Sequence, residues 1–309
     1  MNRARCASVG STPGSKYIQQ PESSRQATLY RNVSSARHND NESSRCGDAM
    51  ILSGKVVLIT GVGPGMGCKL GLEAAKAGAK VVLTARSKPF IDDVAKQVRR
   101  AGGEALPVSL DVTNQENCFA AVDAALAAFG RIDGLVNSAY HPGHWVPIEN
   151  DDIEVWKTAM DVSVYGALRM IKAVIPPMKA QGGGAIVNIC STESRKPLPN
   201  HGSYTVPKAA LQAVTRQMAI DLIKHKIRVN CAVIGWMWGT PVERYMEAHA
   251  KEIGVPLDQL IAERSAQIPI GHIPPDEECA KAALMLLSDY CSQMVGAGLD
   301  VNGGEFLSI

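Results

Sequence analysis

The chain has 309 residues, 46% of them apolar and 20% charged, with a formal net charge of +2. That composition suits one soluble α/β domain with a large core, leaves no basic footprint for nucleic acid, and contains no apolar run near the ~18 residues a membrane helix needs. Eight cysteines without a C-x-x-C pair point to reduced thiols and a cytoplasmic setting rather than to a disulfide framework.

Residues 1–49 carry nine serines, six arginines and almost no apolar periodicity, the composition of a disordered tail. Seven positive groups less four acids give this stretch +3, leaving −1 for the remainder. The acids and the missing amphipathic pattern argue against a transit peptide, and the missing apolar core against a secretory signal. Met50 directly precedes the first strand-like segment, so the tail reads as a dispensable extension or a mis-called start, and residues 50–309 as the folded domain.

Strand Val56–Thr60 runs into Thr60-Gly61-Val62-Gly63-Pro64-Gly65-Met66-Gly67, and a helical pattern follows to Gly78. Glycines between a strand and a helix let the backbone approach a pyrophosphate, whose charge the helix N-terminus stabilises. The loop is not a Walker loop, because Gly67-Cys68-Lys69 lacks the Gly-Lys-Ser/Thr ending. Nor is it G-x-G-x-x-G, because Met66 stands at the third glycine; what remains is T-G-x-x-x-G-x-G. The second strand, Lys80–Thr84, ends at Ala85-Arg86, where an acid would favour the ribose hydroxyls of NAD and an arginine the 2′-phosphate of NADP. Arg86 thus favours NADP over NAD.

Helix 89–101, strand Glu104–Leu110, helix 115–129 and strand Ile132–Val136 continue an alternation that predicts a parallel, doubly wound sheet. Asp111-Val112 closes the third strand, and Asn137-Ser138-Ala139-Tyr140 the fourth. His141 and His144 lie beyond it, but Pro142-Gly143 breaks any helix between them and no third ligand is evident, so no metal site is expected. One long helix is predicted over Ile153–Lys179, with Pro176-Pro177 bending its last turns.

An apolar, β-branched strand at 185–190 hands over to Ser191, and a polar loop then leads to Tyr204, which opens helix 204–224. Tyr204 and Lys208 are four apart, so they share a helix face with the ammonium near the phenol. A phenol with a free pKa near ~10 needs such help for acid–base work at neutral pH. Strand Ile227–Val233 leads to Ile234-Gly235-Trp236-Met237-Trp238-Gly239-Thr240-Pro241. Residues 242–270 then carry Val242, Tyr245, Met246, His249 and Ile253 at helical spacing, either a substrate lid or a surface helix burying an ordinary stripe. Helix 276–288 and a last strand and turn over Gly298–Gly304 complete the chain.

The glycine turn, Ser191 thirteen residues before Tyr204, and the Tyr204-x-x-x-Lys208 pair together resemble the simple, one-domain branch of the short-chain dehydrogenase/reductase family, from about Leu52 onward. The resemblance implies a Rossmann-type α/β fold and hydride transfer between a nicotinamide cofactor and a secondary alcohol or ketone. It implies that Tyr204 transfers the proton, Ser191 binds the substrate oxygen, and Lys208 lowers the tyrosine's proton affinity while holding the nicotinamide ribose. Ser163 stands where relatives carry an asparagine that shapes a helical kink and holds a water linking the lysine to solvent; a serine can hold one less firmly.

For the cofactor, the resemblance implies Gly61, Gly65, Met66, Gly67, Arg86, Asp111 (toward the adenine amino group), Val112, Asn137, Ala139, Tyr204, Lys208, Gly235 and Thr240. Ser138 and Tyr140 depart from the usual Asn-Asn-Ala-Gly, and Ile234 from a proline. Ser163, Ser138 and Ile234 motivate the alternative of a catalytically weak cofactor-sensing or scaffold protein. Enoyl reductases of this fold space the tyrosine and lysine further apart, which disfavours reduction of carbon–carbon double bonds. Relatives pair the two long helices between subunits, so a homodimer or homotetramer is expected. Tyr140, Trp145, Trp236, Met237 and Trp238 fall in loops at the expected nicotinamide edge with no arginine or lysine beside them. They suit an apolar, cyclic small-molecule substrate, unless the tryptophans only pack the lid against the body.

Overall fold

A computed structural model describes residues 50–307, all within one compact unit; the expected disordered tail at 1–49 lies outside the described residues. The elements run β1 (Val56–Thr60), α1 (Met66–Lys76), β2 (Lys80–Ala85), α2 (Lys88–Arg100), β3 (Ala105–Ser109), α3 (Gln115–Phe129) and β4 (Gly134–Asn137). They continue with α4 (Ile153–Met160), α5 (Gly166–Ala180), β5 (Gly184–Ser191), α6 (Gly202–Leu222), β6 (Ile227–Ile234), α7 (Thr240–Ile253), α8 (Leu257–Ala266), α9 (Asp276–Met285) and β7 (Gly298–Val301). Every pairing is parallel, in the order β3-β2-β1-β4-β5-β6-β7. The order reverses at β1 and β4, where Thr60 lies opposite Asn137, and a doubly wound sheet opens its ligand crevice there.

All five residues of β1 are buried, because both faces of the sheet are covered. Val57 and Ile59 pack with Leu70, Ile91, Val94 and Leu284 on one face, whereas Val56 and Leu58 meet Cys118, Val122, Met170 and Val174 on the other. Burial on two faces is the reason such strands read as unbroken apolar runs.

Two predicted elements differ in the structure. The single helix expected over 153–179 is α4 and α5 joined by a π-helical turn, Asp161–Tyr165. Beyond it, Gly166 allows α5 to approach the end of β3, since a Cβ there would fall 2.7 Å from Val112 Cγ2. The insertion is two helices rather than one, divided at Gly254, whose φ of 71° suits glycine, and at Pro256 before α8. Only Met246 and Ala250 of α7 are buried. Met246 joins Ile268, Ile273, Trp236 and Trp238 in a small cluster apart from the main core.

Candidate active site

The glycine turn is built by close approach. Gly61 has a φ of 69°, and a Cβ on it would meet Ala139 N at 2.5 Å; one on Gly67 would lie 2.2 Å from Gly61 O. Thr60 Oγ1 accepts the N–H groups of Ser138 and Ala139 at 3.1 and 3.3 Å, tying the ends of β1 and β4 together. Gly63, by contrast, has nothing within 4 Å of where its Cβ would stand. It faces a cavity of about 410 Å³ that Gly61, Arg86, Asp111, Val112, Ala139 and Tyr140 also line. Phe90 and Val162 line it as well; neither was a candidate from the sequence.

The residues of this cavity fit a dinucleotide. Helices α1 and α7 both begin after a glycine, Gly65 and Gly239, with no side chain capping their first N–H groups; such groups favour an anion. The two starts converge, because a Cβ on Gly65 would lie 3.0 Å from Pro241 Cδ, one residue after Thr240. Arg86 is exposed at the rim of the cavity. Thr113 donates its hydroxyl and its amide to Asp111 Oδ1 at 2.7 and 2.9 Å, and these bonds hold the carboxyl below the usual carboxylate range. Met66 and Gly67 form the first turn of α1 and are buried beneath the glycine turn. Asn137 turns its side chain into the protein: its Nδ2 donates to Asn188 Oδ1 at 2.9 Å, and Asn188 Nδ2 to Thr215 Oγ1 at 2.9 Å, a buried chain from β4 through β5 to α6. Gly235 donates its N–H to Val301 O at 3.1 Å, and a Cβ there would meet Asn302 Cβ at 2.7 Å.

Ser191 is the last residue of β5. Its hydroxyl oxygen accepts the Glu193 N–H at 3.2 Å, and the hydroxyl favours the ionised form of the Tyr204 phenol. One turn along α6, Lys208 is 3% exposed. Its Nζ donates to Ile189 O at 2.8 Å and stands 5.7 Å from the Tyr204 ring centroid and 5.3 Å from that of Tyr140. Burial pushes the Lys208 ammonium down to about 8, against the pull of Cys190 and Glu193. Burial also pushes the Tyr204 phenol above its ordinary range; the Ser191 hydroxyl opposes the shift, and Glu193 and Tyr140 add to it. Within the chain's own atoms, desolvation thus outweighs the lowering expected from Lys208.

Ser163 sits in the π-helical turn, 2% exposed, and its Oγ accepts the His141 N–H at 3.2 Å. Turns of this kind aim side chains that a regular helix would misdirect. The neighbouring loop is fastened in the same way: the His144 N–H donates to Ser203 Oγ at 2.9 Å, and the Gly143 N–H to His141 Nδ1 at 3.1 Å.

Of the aromatic residues proposed to meet substrate, Tyr140 stands edge-on to Tyr204 with centroids 6.2 Å apart. Trp145 stacks on His201 at 3.7 Å and faces Tyr245 of α7 at 6.3 Å. Trp236 lies 6.0 Å from Tyr245. Trp238 packs in the cluster beneath the insertion, and its N–H donates to Pro274 O at 2.7 Å. The expectation that no basic residue accompanies these rings is corrected: the Arg264 guanidinium of α8 lies 4.1 Å over the Trp236 ring, paired with Glu305. Arg264 is 28 positions from Trp236 in the chain, so no loop motif could have shown it. Glu193 and His201, beside Tyr204, were likewise missed.

A family model described as "Enoyl-(Acyl carrier protein) reductase" matches residues 61–305. The chain is similar to the 2,5-dichloro-2,5-cyclohexadiene-1,4-diol dehydrogenase LinX of Sphingobium indicum, 34% identical over 255 residues that cover 82% of this chain and 96% of that one. Among solved structures it resembles L-sorbose reductase from Gluconobacter frateurii complexed with NADPH and L-sorbose, with a TM-score of 0.80, 30% identity and coverage of 84% and 100% of the two chains. It also resembles NAD+-bound xylitol dehydrogenase, with a TM-score of 0.76, 30% identity and coverage of 82% and 99%. The matched span holds the glycine turn, Ser191, Tyr204 and Lys208, with Tyr140 both lining the cavity and standing beside Tyr204, and the chain accordingly belongs to the short-chain dehydrogenase/reductase family, as a nicotinamide-dependent oxidoreductase of CH–OH and carbonyl groups.

Proposed function

We propose that this protein interconverts an apolar, cyclic secondary alcohol and its ketone, with NADP favoured over NAD. The observation that carries the reading is the grouping of Ser191, Tyr204 and Lys208 at the C-terminal edge of β5, with Tyr140 edge-on to Tyr204 and a wall of rings running from Tyr204 through His201, Trp145 and Tyr245 to Trp236. The bound nicotinamide supplies or accepts the hydride. Tyr204 gives a proton to the forming alkoxide in reduction and takes it back in oxidation. Ser191, aimed by the Glu193 N–H, holds the substrate oxygen beside that phenol. Lys208, fixed by the Ile189 carbonyl, sets a positive charge beside the phenol in the protonated form and would help to hold the ribose of a bound nicotinamide cofactor. Holding substrate and proton donor together supplies orientation as well as acid–base catalysis.

The cyclic substrate is supported by the aromatic wall and by the ring named in the Sphingobium relative. Arg264 does not make the wall basic, because Glu305 neutralises it. NADP is supported by Arg86 at the rim of the cavity. A homodimer or homotetramer in the cytoplasm is supported by exposed apolar side chains on α6, Val206 and Ile220, and by the free thiols of the six described cysteines. The test compares kcat/KM for a cyclic apolar ketone, a short linear ketone and a β-ketoacyl thioester, each with NADPH and with NADH. The reading expects the cyclic ketone with NADPH to lead; a clear preference for the thioester refutes it.

A further inference from the structure

The His201 ring is 5% exposed and is sandwiched between two others. Trp145 stacks on one face with centroids 3.7 Å apart and 17° between planes, and Tyr204 on the other at 4.7 Å and 15°. Both ring nitrogens are engaged: Nδ1 lies 2.7 Å from Glu193 Oε2, and Nε2 lies 3.0 Å from the carbonyl oxygen of Pro142. The Pro142 carbonyl and an ionised Glu193 carboxylate can each only accept a hydrogen bond. A neutral imidazole has one N–H and would leave two acceptors facing one donor, whereas the ring with two N–H groups satisfies both. The Thr205 hydroxyl donates to the same Glu193 oxygen at 3.2 Å, which fixes the carboxylate toward the ring.

We infer that His201 is a positioning residue for Tyr204: carrying two N–H groups between Glu193 and Pro142, it cancels the charge of Glu193 beside the phenol and fixes the plane of the phenol ring by stacking. The inference rests on Tyr204 being the proton-transfer group. The charge balance can be followed through every group around the phenol. The turn after β5 brings Glu193, which disfavours the phenolate; β5 itself brings Cys190 and Ser191. The loop after β4 brings Tyr140, together with the His141 and His144 rings, which face Gly143 and Asp151 instead. Helix α6 brings Lys208 at 5.7 Å, and α7 reaches the stack only through Tyr245 against Trp145. Of these, His201 is the group that touches the Glu193 carboxylate and stacks on the phenol ring, so its removal leaves a carboxylate uncompensated beside a residue that must become an anion.

The test reads the acid limb of kcat/KM against pH for alcohol oxidation. His201→Phe keeps a ring in the stack and removes both N–H groups. It is expected to move the limb up by about one pH unit, seen as an approximately tenfold loss at a fixed pH below the limb. His201→Gln, which keeps the slot polar, is expected to move it the same way and carries the test if the phenylalanine variant does not fold. Adding Glu193→Gln to either variant removes the second charge and is expected to return the limb toward its original position. Limbs that stay in place in the single variants, or shifted limbs that the second substitution does not bring back, overturn the inference. Tyr204→Phe in parallel separates this from the underlying reading, which fails only if that variant keeps its turnover.

Discussion

At the scale of single residues, Arg86 and Lys208 show how far side-chain chemistry can be argued from position. Arg86 stands at the end of β2 and lines the cavity, and a guanidinium there offers a two-pronged partner to a phosphate. Such charge-assisted pairs correspond to about a tenfold to hundredfold preference, so Arg86→Ala is expected to weaken NADP binding by that factor and spare NAD, as titration of each cofactor will show. Equal affinity of the original protein for both would make Arg86 a surface charge. Burial acts on the other side of the site: a phenol raised above its ordinary range must lose its proton to act as base. Alcohol oxidation is therefore expected to accelerate with rising pH and ketone reduction to slow. The acceleration flattens above about 8, where Lys208 loses its charge. A pH–rate profile in both directions checks the signs. Ser191, Tyr204 and Lys208 were legible because strand, loop and helix periodicity place them; His201 and Glu193 were not, because a histidine three residues before Tyr204 has no spacing that distinguishes it from a solvated one.

Among the elements, the glycine turn separates two roles that the sequence merges. Gly67 is required by packing, since its Cβ would collide with Gly61 O, whereas Gly63 has open space toward the cavity. Gly67→Ala is expected to cost about 1–3 kcal/mol of stability and lower Tm by several degrees. Gly63→Ala should leave Tm unchanged and weaken cofactor binding. A fall in Tm for Gly63→Ala, without loss of affinity, would reverse the assignment. The strands were legible for a physical reason: covered on both faces, they read as continuous apolar runs between glycines and polar turns. The π-helical turn at Asp161–Tyr165 was signalled only by the resemblance, which puts a helical kink at Ser163, because the apolar pattern of α4 and α5 runs on through it and one extra residue in a turn leaves no mark in the periodicity. The insertion was read as a substrate lid or as a surface helix burying an apolar stripe, yet Tyr245 and Ile253 on that stripe are 43% and 49% exposed.

For the whole molecule, apolar surface is the feature that the single chain leaves unused. Val206 and Ile220, 46% and 72% exposed, lie fourteen residues apart on one side of α6, and Tyr165 before α5 is 50% exposed. Side chains of this size suit a subunit contact. Light scattering at micromolar concentration is expected to give a dimer or tetramer, and Ile220→Glu to shift the mass toward the monomer; a monomer from the original chain would contradict the assembly. The sheet order, the crevice at the β1–β4 reversal and the grouping at the end of β5 all serve one claim, that a single phenol carries the proton in the reaction. The most direct test is turnover by Tyr204→Phe, with cofactor affinity measured on the same preparation. The account predicts a fall in kcat of at least ~10² with cofactor affinity nearly intact; near-normal turnover would contradict it.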